Sequence, residues 1–177
     1  QEVDLSGAYL SYGDFKDAVL NGTAIKLNGA GLANADLSGA TLTVEAFGAS
    51  TIDFTHANLT NADLSGSKLS ATAYSYDYGD NAGLGDASID FTGASLANAD
   101  LSNSELTANG AIEATIDFTE AKLANADLSG WKLVVFARDS RGEALIKGLP
   151  PSLPPPPSSP APAPPCTVEM LKQRPAG

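Results

Sequence analysis

IDFTGASLANADLS, residues 89–102, decides how this chain is read. Phe91, Leu96 and Leu101 return every fifth residue, and Leu106 follows at the same interval. Three near-copies surround the phrase: IKLNGAGLANADLS from Ile25, IDFTHANLTNADLS from Ile52 and IDFTEAKLANADLS from Ile116. Their starts lie 27, 37 and 27 residues apart. A period of five is neither the 3.6 of an amphipathic helix nor the 2 of a half-buried strand. It fits a chain that turns a corner every five residues. A unit this short cannot bury its apolar side alone, so successive copies must stack.

The apolar centres line up across the copies. They are Leu27, Leu32, Leu37 and Leu42; Phe54, Leu59, Leu64 and Leu69; Phe91, Leu96, Leu101 and Leu106; Phe118, Leu123, Leu128 and Leu133. The opening segment joins as a divergent copy, with Leu5, Leu10, Phe15 and Leu20. Two residues before many centres stands a small inward candidate, among them Ala30, Ala35, Ala57, Ala62, Ala94, Ala99 and Ala126. Small residues beside large ones let four walls close on a narrow core.

AlaAspLeu recurs at 35–37, 62–64, 99–101 and 126–128. In these residues the chain resembles the pentapeptide-repeat family, whose motif is A(D/N)LXX, over roughly residues 3–133. The resemblance implies an all-β fold: a right-handed quadrilateral parallel β-helix, four pentapeptides to a coil. About five coils at a strand spacing of ~4.8 Å make a rod roughly 25 Å long. A coil of twenty in a unit of 27 leaves seven residues, expected as corner loops at 43–50 and 107–114. The unit of 37 leaves seventeen, expected as a larger loop over 70–86. All leave after the fourth wall, so they should gather along one edge of the prism, where repeat insertions often mark a binding face. Leu37, Phe54, Leu64, Phe91, Leu101, Phe118 and Leu128 are the expected buried repeat centres.

The chain has 177 residues and a formal net charge of −11. Residues 1–133 carry eighteen acids against five bases, and residues 134–177 three acids against five bases. An acidic rod argues against nucleic acid and anionic membrane surfaces as partners. No run approaches the 18 or so apolar residues of a membrane span. The single Cys166 excludes an internal disulfide. A chain opening at Gln1, with Met170 its only methionine, reads as a processed one from an organelle lumen or a secreted compartment.

Catalytic signatures are missing. His56 and Cys166 are the only residues of their kinds and lie 110 positions apart. No nucleophile elbow, phosphate loop, dinucleotide fingerprint or zinc spacing is present, so no enzyme activity, cofactor or metal is expected. His56 falls at an outward corner. Asp14, Asp36, Asp63, Asp100 and Asp127 share one place in successive coils, as do Asp53, Asp90 and Asp117. Stacked carboxylates repel, and the expectation is that they raise one another's pKa values. Asn34, Asn61, Asn98 and Asn125 should form an amide ladder.

Tyr74, Tyr76 and Tyr78 alternate in the 70–86 insertion, and tyrosine suits interface cores. Residues 134–148 break the period and read as a C-terminal cap, with Val135, Phe136, Leu145 and Ile146 over the last coil. All eleven prolines lie between 150 and 175. Residues 149–165, with Pro154, Pro155, Pro156 and Pro157 at their centre, read as a polyproline II spacer. A short segment, 166–177, follows with Leu171. The tyrosines, the four prolines and Leu171 are the candidate partner-binding residues. The reading that results is a structural subunit docking through rod, loops and tail onto other proteins of a larger, membrane-associated complex. Pentapeptide-repeat relatives include a group in the thylakoid lumen, which makes an extrinsic subunit of a photosynthetic complex its concrete form. The alternatives are an acidic DNA mimic acting on a type II topoisomerase and a secreted ligand-binding solenoid.

Overall fold

A computed structural model describes residues 1–75, 85–138 and 142–150, and the backbone of 167–172. Its regular elements are all strands, stacked in parallel on four walls. On wall 1 the order is β1 (Glu2–Asp4), β3 (Ala24–Lys26), β5 (Ser50–Asp53), β7 (Ala87–Asp90), β9 (Ala114–Asp117) and β11 (Ala144–Lys147). On wall 4 it is β2 (Val19–Gly22), β4 (Thr41–Phe47), β6 (Lys68–Tyr74), β8 (Glu105–Gly110), β10 (Lys132–Ala137) and β12 (Thr167–Lys172). Walls 2 and 3 are narrower, each a row of single parallel bridges: Tyr9–Gly31–Asn58–Ser95–Lys122 and Asp14–Asp36–Asp63–Asp100–Asp127.

The five-residue period is a turn followed by a bridge. The N–H groups of Ala30, Ala35 and Ala40 donate to the carbonyls of Leu27, Leu32 and Leu37, three residues back. Each such turn holds its third residue at positive φ: Gly29 at 65°, Asn34 at 58° and Gly39 at 68°. A β-turn with φ > 0 at that position takes Gly or Asn most readily, because a side chain there crowds the backbone. The repeat is therefore apolar centre, polar residue, Gly or Asn, small residue, then the bridge residue that pairs with the coils on either side. Prolines are absent from residues 1–149 because nearly every coil hands N–H groups to its neighbours.

The centre positions of the middle coils are buried, including Leu37, Phe54, Leu64, Phe91 and Leu101, together with Phe118. Phe54 and Phe91 stack 4.9 Å apart with planes 3° from parallel, and Phe91 and Phe118 stack at 5.1 Å and 1°. A second column, Val3–Ile25–Ile52–Ile89–Ile116–Ile146, runs up wall 1 in strict register. Its middle four members are fully buried. The five-residue template passes over this column, because it opens each copy two residues before the first centre.

Three expectations need correction. The seven-residue excursions are not loops: β4 runs on through Phe47 and β8 through Gly110, and β6 continues to Tyr74. Parallel pairing with the coil above and below satisfies the extra backbone groups better than a free loop would. The insertions do share one edge, as expected, and they make wall 4 the broadest. Residues 134–148 are not a separate cap either. Val134–Ala137 belong to β10, and Ala144–Lys147 start a sixth coil paired to β9. Finally, Leu128 and Leu123 are only partly buried, because no bridge stacks on walls 2 and 3 beyond Lys122 and Asp127 among the described residues.

Trp131, fully buried, fills part of that end. Its ring lies 5.6 Å from Phe118, tilted by 58°. Equivalent places in lower coils hold Ala40, Ser67 and Ser104. A large ring fits only where no complete coil sits above it. At the opposite end Leu5, Leu10, Phe15 and Leu20 line an apolar opening over Leu32 and Leu37.

Candidate interaction surfaces

The outward residues of wall 4 follow from strand alternation. Leu42 and Val44, Leu69, Ala71 and Ala73, Leu106 and Ala108, and Leu133 and Val135 point into the core. The register places the outward residues in columns: Thr41–Lys68–Glu105–Lys132, Thr43–Ser70–Thr107–Val134 and Glu45–Thr72–Asn109–Phe136. A fourth column begins with Phe47 and Tyr74. Phe47 is 59 % exposed, and its ring centroid lies 5.5 Å from that of Tyr74. The Arg138 guanidinium sits over the same tyrosine ring, 5.4 Å from its centroid. Between them in height lies Gly110, whose carbonyl accepts the Arg138 N–H at 3.1 Å. The arginine reaches down two coils. Beside this group the Asn109 Oδ1 is buried with no hydrogen-bond partner.

The acidic columns do different work. Asp63, Asp90, Asp100, Asp117 and Asp127 each accept the backbone N–H two residues on, at 2.8–2.9 Å. Asp4 and Asp36 do so too and also accept the Ser6 and Ser38 hydroxyls at 2.6 Å. The expected upward pKa shift is corrected here. The serine hydroxyl, then its N–H, hold Asp4 and Asp36 below the usual carboxylate value. Hydrogen bonds to the charged form outweigh like-charge repulsion across water. These carboxylates close turns. Among the described residues no group of three or more His, Cys, Asp or Glu is arranged to hold a metal.

The asparagine ladder forms as expected: Asn61, Asn98 and Asn125 each donate from Nδ2 to the Oδ1 of the Asn in the coil before, at 3.1–3.2 Å. His56 is exposed at a corner with φ 56°. Its ring lies against Gly93 of the next coil, where a Cβ would come within 2.4 Å of it. Of the candidate partner-binding residues, Tyr74 lies on wall 4. Leu171 falls in β12, its register partner Phe136. Tyr76, Tyr78 and Pro154–Pro157 lie outside the described residues. Phe47, Arg138 and Trp131 escaped the sequence reading. Aligning the copies could have flagged Trp131, as GW at 130–131 replaces GA, GS and NS.

Compared with known families, the chain matches Pentapeptide repeats in eight copies, over residues 1–43 and 50–72. Residues 1–43 and 50–72 are thus pentapeptide repeats. Helical main-chain pairing continues past the matched residues to Lys147. No curated protein matches it. Solved structures that resemble it include the pentapeptide-repeat protein Rfr23 from the cyanobacterium Cyanothece 51142, at 18% identity and a TM-score of 0.20, covering 76% of this chain and 55% of that one. The chain therefore spans little more than half the length of Rfr23. QnrB1, a plasmid-mediated fluoroquinolone resistance protein, is 18% identical over 81% of this chain and 69% of its own, with a TM-score of 0.28. A pentapeptide-repeat protein of the Arabidopsis thaliana thylakoid lumen is 19% identical over 80% and 83%, with a TM-score of 0.20.

Proposed function

We propose that this pentapeptide-repeat protein is a non-enzymatic docking subunit whose contact surface is wall 4. One observation carries the reading. Every insertion between coils broadens that wall, and there Phe47, Tyr74, Phe136 and Arg138 stand among Thr and Ser hydroxyls. Aromatic residues and arginine are the types that dominate interface cores, whereas the Asp row of wall 3 is of a type depleted there. The concrete form we favour is an extrinsic subunit on the lumenal side of a photosynthetic membrane complex, held also by the Pro-rich tail. Supporting it are the net charge of −11 and a chain with no helix, among the described residues, long and apolar enough to cross a membrane.

The test is affinity capture of native partners by the full chain and by a Tyr74→Ser/Arg138→Glu variant. The variant should fold and lose the captured proteins. Equal capture by both would move the interface off wall 4. A second reading, an acidic mimic of duplex DNA, draws on the Asp14–Asp36–Asp63–Asp100–Asp127 row. It predicts inhibition of topoisomerase supercoiling by the purified chain, which the docking reading does not.

A further inference from the structure

β10 has the sequence KLVVFA, residues 132–137. Six residues rich in β-branched and aromatic side chains, with one charge and no Pro or Gly, make a strongly self-pairing strand. Left bare, its outer edge would present a row of unpaired N–H and C=O groups at the end of the broadest wall. It is covered by β12, which pairs with it in parallel over six positions, from Lys132↔Thr167 to Ala137↔Lys172.

β12 is attached differently from every strand before it. In the fifth coil, fourteen residues join Asp117 at the end of β9 to Lys132 at the start of β10. In the sixth, nineteen residues join Lys147 at the end of β11 to Thr167 at the start of β12, and ten of them are proline. β12 is also the last strand of its sheet, so it pairs on one side only. It is a strand on a long tether laid along a sticky edge.

We propose that the β10 edge is a strand-addition site and that β12 is an exchangeable occupant, supplied by the same chain or by a second copy. The second copy is the partner the observations favour, because its β12 fits that edge residue for residue. Nineteen residues reach on the order of 50 Å even in an extended proline-rich chain, about twice the height of the rod. Exchange between two copies replaces each pairing with an identical one, so it requires no new contact and little free energy. The tether keeps the local strand at high effective concentration, so exchange rises with protein concentration. In dilute solution the same strand guards the edge against open-ended pairing.

Register makes this testable by cross-linking, using the full chain with Cys166→Ser throughout. One copy carries Val134→Cys and the other Glu169→Cys, which are register partners. Adjacent strands lie about 4.8 Å apart, within the Cα separation a disulfide spans. Mixed at high concentration and oxidised, the two variants should give a disulfide-linked heterodimer. Pairing Val134→Cys with Val168→Cys, one residue out of register, should give far less. Placing Glu169→Pro and Met170→Pro in both a tagged and an untagged copy removes ladder donors of both parities from every available β12. These copies should no longer co-capture one another, as wild-type copies do, and should expose the Lys132–Ala137 amides to faster hydrogen exchange, with the β-sheet circular dichroism retained. No cross-link between folded variants, or equal linking out of register, or undiminished co-capture between double-proline copies, each overturns the exchange.

Discussion

The guanidinium of Arg138 lies over the ring of Tyr74, 5.4 Å from its centroid, although the two residues belong to the fifth and third coils. The contact bridges the coil between them along the outer edge of wall 4. It joins the one exposed arginine described on this rod to the aromatic pair of Phe47 and Tyr74. A cation over an aromatic face at a partly exposed site contributes about 0.5–1 kcal/mol. Arg138→Ala should therefore lower stability by roughly that amount, and Arg138→Lys by less, in urea denaturation. Tyr74→Leu should remove the difference between arginine and alanine at 138. If the arginine effect persists in that background, the guanidinium is held by other groups.

The repeat centres and the asparagine ladder were legible in the sequence because one turn, repeated with one register, writes the same residue types every five positions. The face opposite the repeat was not. Thr43–Phe47 and Thr107–Gly110 lie outside the pentapeptide pattern, and nothing in TVEAF or TANG distinguishes a corner loop from a strand that adds onto a growing sheet. That choice is made by pairing with the neighbouring coil, a long-range contact. Arg138 and Tyr74 are 64 positions apart, and their meeting depends on the register of β6, β8 and β10. Trp131 was readable in principle, since it interrupts a column of Ala and Ser.

The phenylalanine column tests the core. Phe91 stacks between Phe54 and Phe118 with no exposed surface. Phe91→Ala removes both stacks and opens a cavity, so a loss of about 3–5 kcal/mol is expected. Phe91→Leu should cost far less, because Leu5 and Leu27 fill the same position in the first two coils. Thermal melts of the two variants should separate widely. Similar losses would mean that the stacks, rather than the filled volume, hold the column.

Asn61 donates to Asn34 and accepts from Asn98 while holding a φ of 56°. Two substitutions separate these roles. Asn61→Gly keeps the backbone and removes both ladder bonds, which should cost on the order of 1 kcal/mol in total for an exposed site. Asn61→Ala removes the bonds and adds a Cβ in the left-handed region, a further 1 kcal/mol or so. Denaturant midpoints should fall in the order wild type, Gly, Ala. An alanine variant as stable as the glycine one would show that the corner relaxes.

Glu120 occupies the corner position that holds Gly29 and Gly93 in other coils, with φ 59°. Its side chain is exposed. Glu120→Gly should stabilise the rod by up to about 1 kcal/mol, the relief of left-handed strain exceeding the added chain entropy. Gly93→Ala should do the reverse, because the new methyl meets the His56 ring as well as the strain. His56→Gly in that background should recover part of the loss. Failure of the rescue would assign the whole effect to the backbone.

Acid sensitivity follows from Asp4 and Asp36. The Ser6 and Ser38 hydroxyls, then their backbone N–H groups, lower both carboxylates from the ordinary 3.8. A carboxyl whose folded pKa is depressed binds its proton more readily in the unfolded chain. Its stabilising contribution is fully present above the unfolded value and is lost as pH falls through the folded one. The rod should therefore weaken progressively below about pH 4. Asn can take over the turn: Asn58 Oδ1 already accepts the Thr60 N–H at 3.2 Å. Asp4→Asn/Asp36→Asn should accordingly fold, be somewhat less stable than wild type at neutral pH through loss of the charged acceptors, and show a shallower decline on acidification. The comparison is a set of urea midpoints from neutral pH down to about pH 2 for both proteins. Parallel curves would place the acid sensitivity in other groups.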